Sequence, residues 1–460
     1  MRHVHFIGIG GAGMSGIARI MRARGFEVSG SDLKDGRALT SLRALGIDVF
    51  IGHAPQNVEG ADEVVISSAI RADNVECQAA KSAGIPVIKR AEALAQLLQG
   101  SNSVAVAGTH GKTTTTSLLT VALQHLGVDP SFAIGGDLNE SGANAHNGSG
   151  EHFIAEADES DGSFLLLSPT NAIVTNIELD HLDFYQAQEQ VDQAFLDFAK
   201  AIPSDGFVVV CADDAGGQRL IDTAKTAGVN VVTYGQSPDC DLRISAEILS
   251  GRTCSFEASW HGIRIGGVNL QIPGHHNVLN AGAALAAGLS LGLPAAGLIE
   301  GLGTFTGTRR RFEPKGAAAG VSIFDDYAHH PTEITATLLA ARDVVKSGRL
   351  VVAFQPHRYS RTAALMDEFG AALAVADALV VMEVYAAGED PIPGAGGSAV
   401  ADAARKHGAA DVNFVGSWSA VAPTLVDLVQ PGDVVMTLGA GDITLIGPEV
   451  LAGLTARASQ

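Results

Sequence analysis

The stretch VAVAGTHGKTT, Val104 to Thr114, decides the fold. An apolar strand, Val104–Ala107, runs into a glycine loop, and Lys112-Thr113 then opens a helix predicted to continue through Leu126. This is the strand–loop–helix unit of an α/β sheet, in which backbone N–H groups at a helix N-terminus cradle phosphates. Lys112 can neutralise terminal phosphates and the Thr113 hydroxyl can hold Mg²⁺. Gly108, Thr109, His110, Gly111, Lys112, Thr113 and Thr114 are therefore assigned to phosphate binding. The loop reads G-x-x-G-K-T and departs from GxxxxGK[ST], because Val106 stands where the first glycine of that pattern would fall.

Working outward, strands alternate with helices along the whole chain. Strand candidates are His3–Ile9, Phe26–Gly30, Asp48–Ile51, Glu63–Ser67, Pro86–Ile88, Val321–Phe324, Leu350–Phe354, Ala378–Val381 and Asp433–Leu438. Such alternation predicts parallel sheets with helices on both faces. A length of 460 residues suggests roughly three domains at about 150 residues each. The divisions expected are 1–100, 101–307 and 308–460, at the polar break Gln99–Asn102 and the segment Gly301–Thr308. The fold class is α/β throughout: Rossmann-like, then a P-loop-type ATP domain, then Rossmann-like again.

Hydrophobic residues make up 46% and charged residues 17%, which excludes a disordered chain. With 30 basic against 50 acidic residues the net charge is −20, unsuited to bulk binding of nucleic acid or anionic membrane. Four separated cysteines without a CxxC pair argue against a disulfide framework or a thiolate zinc site. The N-terminus lacks a signal-peptide pattern, and the uncharged run Asn277–Ile299 is Ala- and Gly-rich and broken at Leu293-Pro294, so a buried helix and a cytoplasmic protein are expected. The oligomeric state stays open between monomer and homodimer.

Further motifs follow other strands. Gly8-Ile9-Gly10-Gly11-Ala12-Gly13 precedes a helix predicted over Met14–Arg24, with Asp32 after the next strand at ribose-binding distance. That pattern fits NAD or another nucleotide diphosphate such as a UDP-sugar. Glu156-Ala-Asp158-Glu159-Ser160-Asp161 and Asn176-Ile-Glu178-Leu-Asp180-His181 put acidic groups and an imidazole at strand ends, where Glu156 and His181 are the candidate metal ligands. His276, Asn277 and Asn280 open the Ala-rich helix; asparagine amides suit an adenine edge, and Asn277 alone would also serve as a helix N-cap. Arg309-Arg310-Arg311 begins the last domain, and an arginine supplied from a second domain suits phosphoryl transfer. Tyr327-Ala-His329 follows one strand of that domain. Arg358 and Arg361 follow another, placed to clamp a carboxylate.

Together GIGGAGMSGIA, AGTHGKTTTTS, EADESDGSFL, VTNIELDHLDFY, PGHHNVLNA, DDYAHHPTE, FQPHRYSRT and VYAAGEDPIPG resemble the Mur ligase family, and within it the branch that joins L-alanine to UDP-N-acetylmuramate. The resemblance runs from the first strand to about Asp442. It implies a UDP-sugar site at Gly8, Gly10, Gly11, Ala12, Gly13, Asp32, His53 and Ser68. It implies magnesium, or manganese, on Thr113, Glu156 and His181. The phosphates held at Gly108 to Thr114 would be those of ATP. Adenine would contact His276, Asn277 and Asn280, and Arg311 the ATP phosphates. Tyr327, His329, Arg358 and Arg361 would hold the amino acid. Lys112, Glu156, His181, Arg311 and His329 carry the implied chemistry, an acyl phosphate made from ATP and trapped by alanine. Later ligases of the family carry a carbamate-modified lysine where this chain has Phe195, and Asp442 stands where asparagine is expected. The alternative within the same resemblance is a recycling ligase that attaches a preformed peptide. Outside it stand an NAD-linked oxidoreductase and a non-catalytic nucleotide-binding regulator.

Overall fold

The computed structural model describes residues 2–67, 69–181, 184–345 and 347–458. Three sheets divide it. The first has five parallel strands in the order Asp48–Ile51, Glu27–Asp32, His3–Ile7, Glu63–Ile66, Val87–Lys89. The first strand stops two residues short of the expected Ile9, because Gly8 turns the chain with φ 79°. Its neighbours lie on either side, so the glycine loop leaves at the point where strand order reverses, the usual place for a ligand in an open α/β sheet.

The second sheet has ten strands. Asn102–Ala107 pairs in parallel with Asn171–Val174 on one side and His152–Glu156 on the other. Their carboxyl ends therefore deliver the phosphate loop, Thr175–Glu178 and Glu156 side by side. The helix Lys112–His125 that follows the loop is buried from Thr113 to Leu123 although it carries Thr113–Thr116, Ser117 and Thr120. Thr116, Ser117 and Thr120 donate to the carbonyls four residues back, and Thr115 donates to Asn280 Oδ1, so these hydroxyls enter the core already satisfied.

The expectation of parallel sheets fails at the edges. Leu242–Ser250, Thr253–Trp260 and Ile263–Leu270 form an antiparallel meander. His261 and Gly262, with φ 46° and 79°, make the two-residue turn between the last two strands, the left-handed pair that a tight hairpin demands. Ala145–His146 and Glu313–Ala318 also pair antiparallel at sheet edges.

The third sheet has six strands, and its parallel core ends at Asp326, Leu438, Phe354 and Met382. Those ends face the second sheet's loops. The uncharged run becomes two helices, His275–Ser290 and Ala295–Thr304, separated at Leu293-Pro294. Among the described residues no helix is long and apolar enough to cross a membrane.

Phe195 lies fully buried on the helix Gln188–Lys200, its ring edge-on to Phe164 at 5.3 Å, with Phe198 on the same Phe164 ring at 4.9 Å. At this position the chain thus has an aromatic ring packed into the core of the central domain. Phe195→Ala is expected to cost about 3–5 kcal/mol of stability, read as a lowered denaturant midpoint for the central domain.

Candidate active site

The phosphate loop is held in shape by the neighbouring strand end. His110 N donates to Asn176 Oδ1 at 2.8 Å, Thr175 Oγ1 donates to His110 O, and Thr109 Oγ1 accepts from Glu178 N. Gly108 has φ 132° and any β-carbon there would collide with Thr175; Gly111, at φ 82°, is closed off in the same way by Asn280. Both glycines are thus required by backbone geometry and by space.

Lys112 bends back over this loop. Its ammonium donates to Gly108 O at 2.6 Å, Thr109 O at 3.0 Å and Glu159 Oε1 at 2.9 Å. Burial opposes its charge, but Glu159, Asp158 and Glu156 outweigh that and raise its pKa. Glu159, only 2% exposed, also faces His181 Nε2 at 3.3 Å. Thr113 Oγ1 lies 3.0 Å from both oxygens of Glu156, which also accepts from Gly135 N at 2.7 Å. The expected metal donors Thr113 and Glu156 are therefore adjacent, while His181 contacts Glu159 and lines the same cleft.

A cleft of about 560 Å³ opens over these groups and is bordered by all three domains: Ala12 from the first, the loop, Glu156 and His181 from the second, Arg309–Arg311, Tyr327 and His329 from the third. Arg309 pairs with Asp137 at 3.3 Å, while Arg310 and Arg311 both lie over the Tyr327 ring, at 4.8 and 5.2 Å. Arg310 also turns back to Gly439 O and Asp325, and Arg311 lies beside Glu333. Burial, with Arg361 and His357 nearby, pushes His329 down to about 3 despite Glu333. Its Nδ1 lies 3.1 Å from the Tyr327 carbonyl, so Nδ1 carries the hydrogen and Nε2 is left as acceptor.

Arg361 and Asp180, both about nine-tenths buried, pair at 3.4 Å across the domain boundary. The clamp expected for a substrate carboxylate thus has its second arginine on a carboxylate of the protein. Arg358 caps the next helix, Tyr359–Ala364, in a left-handed conformation of φ 69°. Neither arginine lines the cleft, whereas Tyr327 and His329 do.

A second cavity, about 250 Å³, adjoins the loop and contains His276, Asn277, Asn280, Thr114, Arg311 and Asp326. Asn277 is not the N-cap: Gly274 is, and Asn277 Nδ2 instead donates to Pro273 O while its Oδ1 accepts from Asn280. Burial, with His275 and Arg311 nearby, pushes His276 down to about 4, leaving a neutral ring suited to a purine. Burial likewise raises Asp326 to about 6, despite Arg311 and two backbone N–H donors.

In the first domain Gly10 N donates to Asp32 Oδ2 at 2.9 Å, and a β-carbon on Gly10 would meet that oxygen at 2.8 Å. Asp32 fastens the glycine loop as well as facing its mouth. A β-carbon on Gly13 would meet Arg90 at 2.7 Å. His53 sits 3.0 Å from Ser31 Oγ and 3.3 Å from the buried Glu76, a carboxylate held down at about 2 because the nearby His5 ring and hydrogen bonds from Ser31, Asn57 and Ala54 N outweigh its burial. Ser68 lies outside the described residues. The helix after the loop is pinned to the second domain, Asn144 Nδ2 donating to Ala12 O at 2.9 Å.

Residues 3–102 match the family description "Mur ligase family, catalytic domain", 106–288 the "Mur ligase middle domain", and 310–441 the "Mur ligase, glutamate ligase domain". The chain belongs to the Mur ligase family. Among its relatives, the UDP-N-acetylmuramate–L-alanine ligase of Saccharopolyspora erythraea is 53% identical over 98% of this chain and 93% of that protein. The ligase of the same name from Mycolicibacterium smegmatis is 49% identical over 99% and 95%. The solved UDP-N-acetylmuramate–alanine ligase of Thermotoga maritima superposes with TM-score 0.83 at 31% identity, covering all of both chains. A murein peptide ligase from Psychrobacter arcticus gives 0.73 at 26% identity, covering 99% of each. For this Mur ligase, the NAD-oxidoreductase and regulator readings of the glycine loop fall away.

Sequence reasoning passed over Glu333, and it gave Glu159 no assigned role. Both become central only through contacts between distant segments. Glu333 Oε1 lies 3.3 Å from His110 Nδ1, and Glu178 Oε2 lies 3.4 Å from His110 Nε2. Burial would lower His110, yet Glu178 and Glu333 outweigh it and push it up to about 9. A raised pKa of this kind adds stability that is complete below the ordinary value of 6.5 and disappears as pH rises through about 9. The thermal midpoint is expected to fall between those pH values, and His110→Gln to flatten that part of the profile.

Proposed function

We propose that this Mur ligase joins L-alanine to the lactyl carboxylate of UDP-N-acetylmuramate, turning ATP into ADP and phosphate, in the supply of peptidoglycan precursors. One observation carries this reading: identity near one half to alanine-adding ligases along almost the whole chain. The cleft supports it, since a phosphate loop, a glycine helix from the first domain and arginines from the third border one space. The reading includes the domain division 1–100 for the UDP-sugar, 101–307 for ATP and 308–460 for the amino acid, and a cytoplasmic setting.

A lactyl carboxylate oxygen attacks the γ-phosphorus of ATP. The bond to the β–γ bridging oxygen breaks, ADP leaves, and an acyl phosphate remains. The neutral amine of alanine then adds to the acyl carbon, and the tetrahedral adduct expels phosphate with the C–O electron pair while the amine proton passes to that phosphate. Two anions must approach in the first step, so Lys112 and Arg311 reduce their repulsion. Arg311 is steadied for this by Tyr327 and Glu333.

The oxygen donors of Thr113 and Glu156, with the His181 imidazole, make a set that suits Mg²⁺ and would also take Mn²⁺. Bound there, the ion would add positive charge to the transferring phosphoryl group. The low pKa of His329 fits it to orient the amine through Nε2 rather than to keep its proton. Arg358 and Arg361 would take the alanine carboxylate, with Asp180 released from Arg361 as they do so.

ADP release should require ATP, UDP-N-acetylmuramate and L-alanine together. Release with a tripeptide but not with alanine would move the chain to the peptide-attaching activity. Lys112→Ala is expected to lower kcat by about 10²–10³-fold, the usual loss for one donor to transition-state charge, in a steady-state ADP assay. Arg358→Ala should raise the KM for alanine with little change in that for ATP; an unchanged alanine KM would remove this arginine from the carboxylate site.

A further inference from the structure

His110 and Glu178 of the second domain and His330 of the third bring one ligand atom each within 4.8 Å of one another. His330 is 5% exposed, and neither of its ring nitrogens has a hydrogen-bond partner. His110 Nε2 is also buried without a hydrogen bond, its only charged contact being Glu178 Oε2 at 3.4 Å among the described residues, with the two imidazole rings 4.9 Å apart. Buried imidazole nitrogens are normally satisfied. Three unmade nitrogen positions beside a carboxylate are unusual, and the described hydrogen bonds of the site do not account for them.

We propose that His110, Glu178 and His330 form a Zn²⁺ site spanning the second and third domains, separate from the Thr113, Glu156 and His181 donors. Two imidazole nitrogens and one carboxylate oxygen form a set that favours Zn²⁺ over Mg²⁺, with a fourth position for water. His110 would bind through Nε2, while its Nδ1 faces Glu333 at 3.3 Å. That is the carboxylate–imidazole–metal order in which the outer carboxylate fixes the tautomer and strengthens the ligand. Coordination at about 2 Å requires the three side chains to draw inward. Glu178 already carries Thr332 of the third domain at 2.8 Å, so the two domains are in register for it. A bound ion would tie them together through side chains that no other assigned role explains as a set. The inference stands apart from the choice of amino acid or peptide as substrate.

The test is a Zn²⁺ titration of the full-length, nucleotide-free protein in competition with a fluorescent zinc chelator. One equivalent should bind to the native chain and to His181→Ala, and His330→Ala should weaken binding by about tenfold or more. Glu178→Gln should weaken it too, which guards against a folding defect in the histidine variant. Co²⁺ in place of Zn²⁺ should give the visible absorption of a four-coordinate site, lost in His330→Ala. Absence of binding, or binding that depends on His181 and not on His330 and Glu178, would overturn the proposal.

Discussion

The cleft is organised around one buried ammonium. Lys112 lies among Glu156, Asp158 and Glu159, and its charge is what allows these carboxylates to crowd a space that must receive a polyphosphate. Glu159 stands where the lysine and His181 both reach it, so an arriving phosphate competes with a carboxylate already in position. The balance is close by construction. The second domain offers the cleft more acidic groups than basic ones, and the arginines that offset them come from the third domain.

That division explains why contacts between domains concentrate on charged side chains. Asp137 meets Arg309, Asp180 meets Arg361, and His110 lies between Glu178 and Glu333. Each pair joins a group from the ATP-loop side to one from the amino-acid side, except for the Glu178 contact, which is internal to the second domain. The first domain joins the second through both kinds of contact, an Arg90–Asp158 ion pair at 3.2 Å and hydrogen bonds from Arg24 to Asn147 and from Asn144 to the backbone oxygen of Ala12.

Much of this was legible locally. Runs such as VAVA and LVVAF sit between helices and could only be buried strands, and the glycine loops declare themselves because backbone conformation and phosphate contact depend on adjacent residues. The antiparallel meander escaped because LRISAEILS alternates weakly, and the turn His261-Gly262 lacks the more familiar asparagine. Site residues that act as bridges were harder. Arg361 and Asp180 lie 181 positions apart, and nothing near either one names the other. The same holds for His110 and Glu333, whose pairing exists only once two sheets face each other. Asp442 is a similar case: it accepts from Gln355 Nε2 at 2.9 Å, 87 positions away in the chain.

The helix Lys112–His125 has a consequence of its own. Its hydroxyl-rich surface is buried with its hydrogen bonds turned inward, so water does not reach its flanks. The peptide dipoles along it therefore act through a medium of low polarisability, in which their field at the N-terminus is weakened less than on a surface helix. The helix contributes a positive field at Gly111 and Lys112 that opposes the field of the carboxylates nearby. The threonines thus serve the anion site from within the core, by keeping solvent away from the helix that points at it.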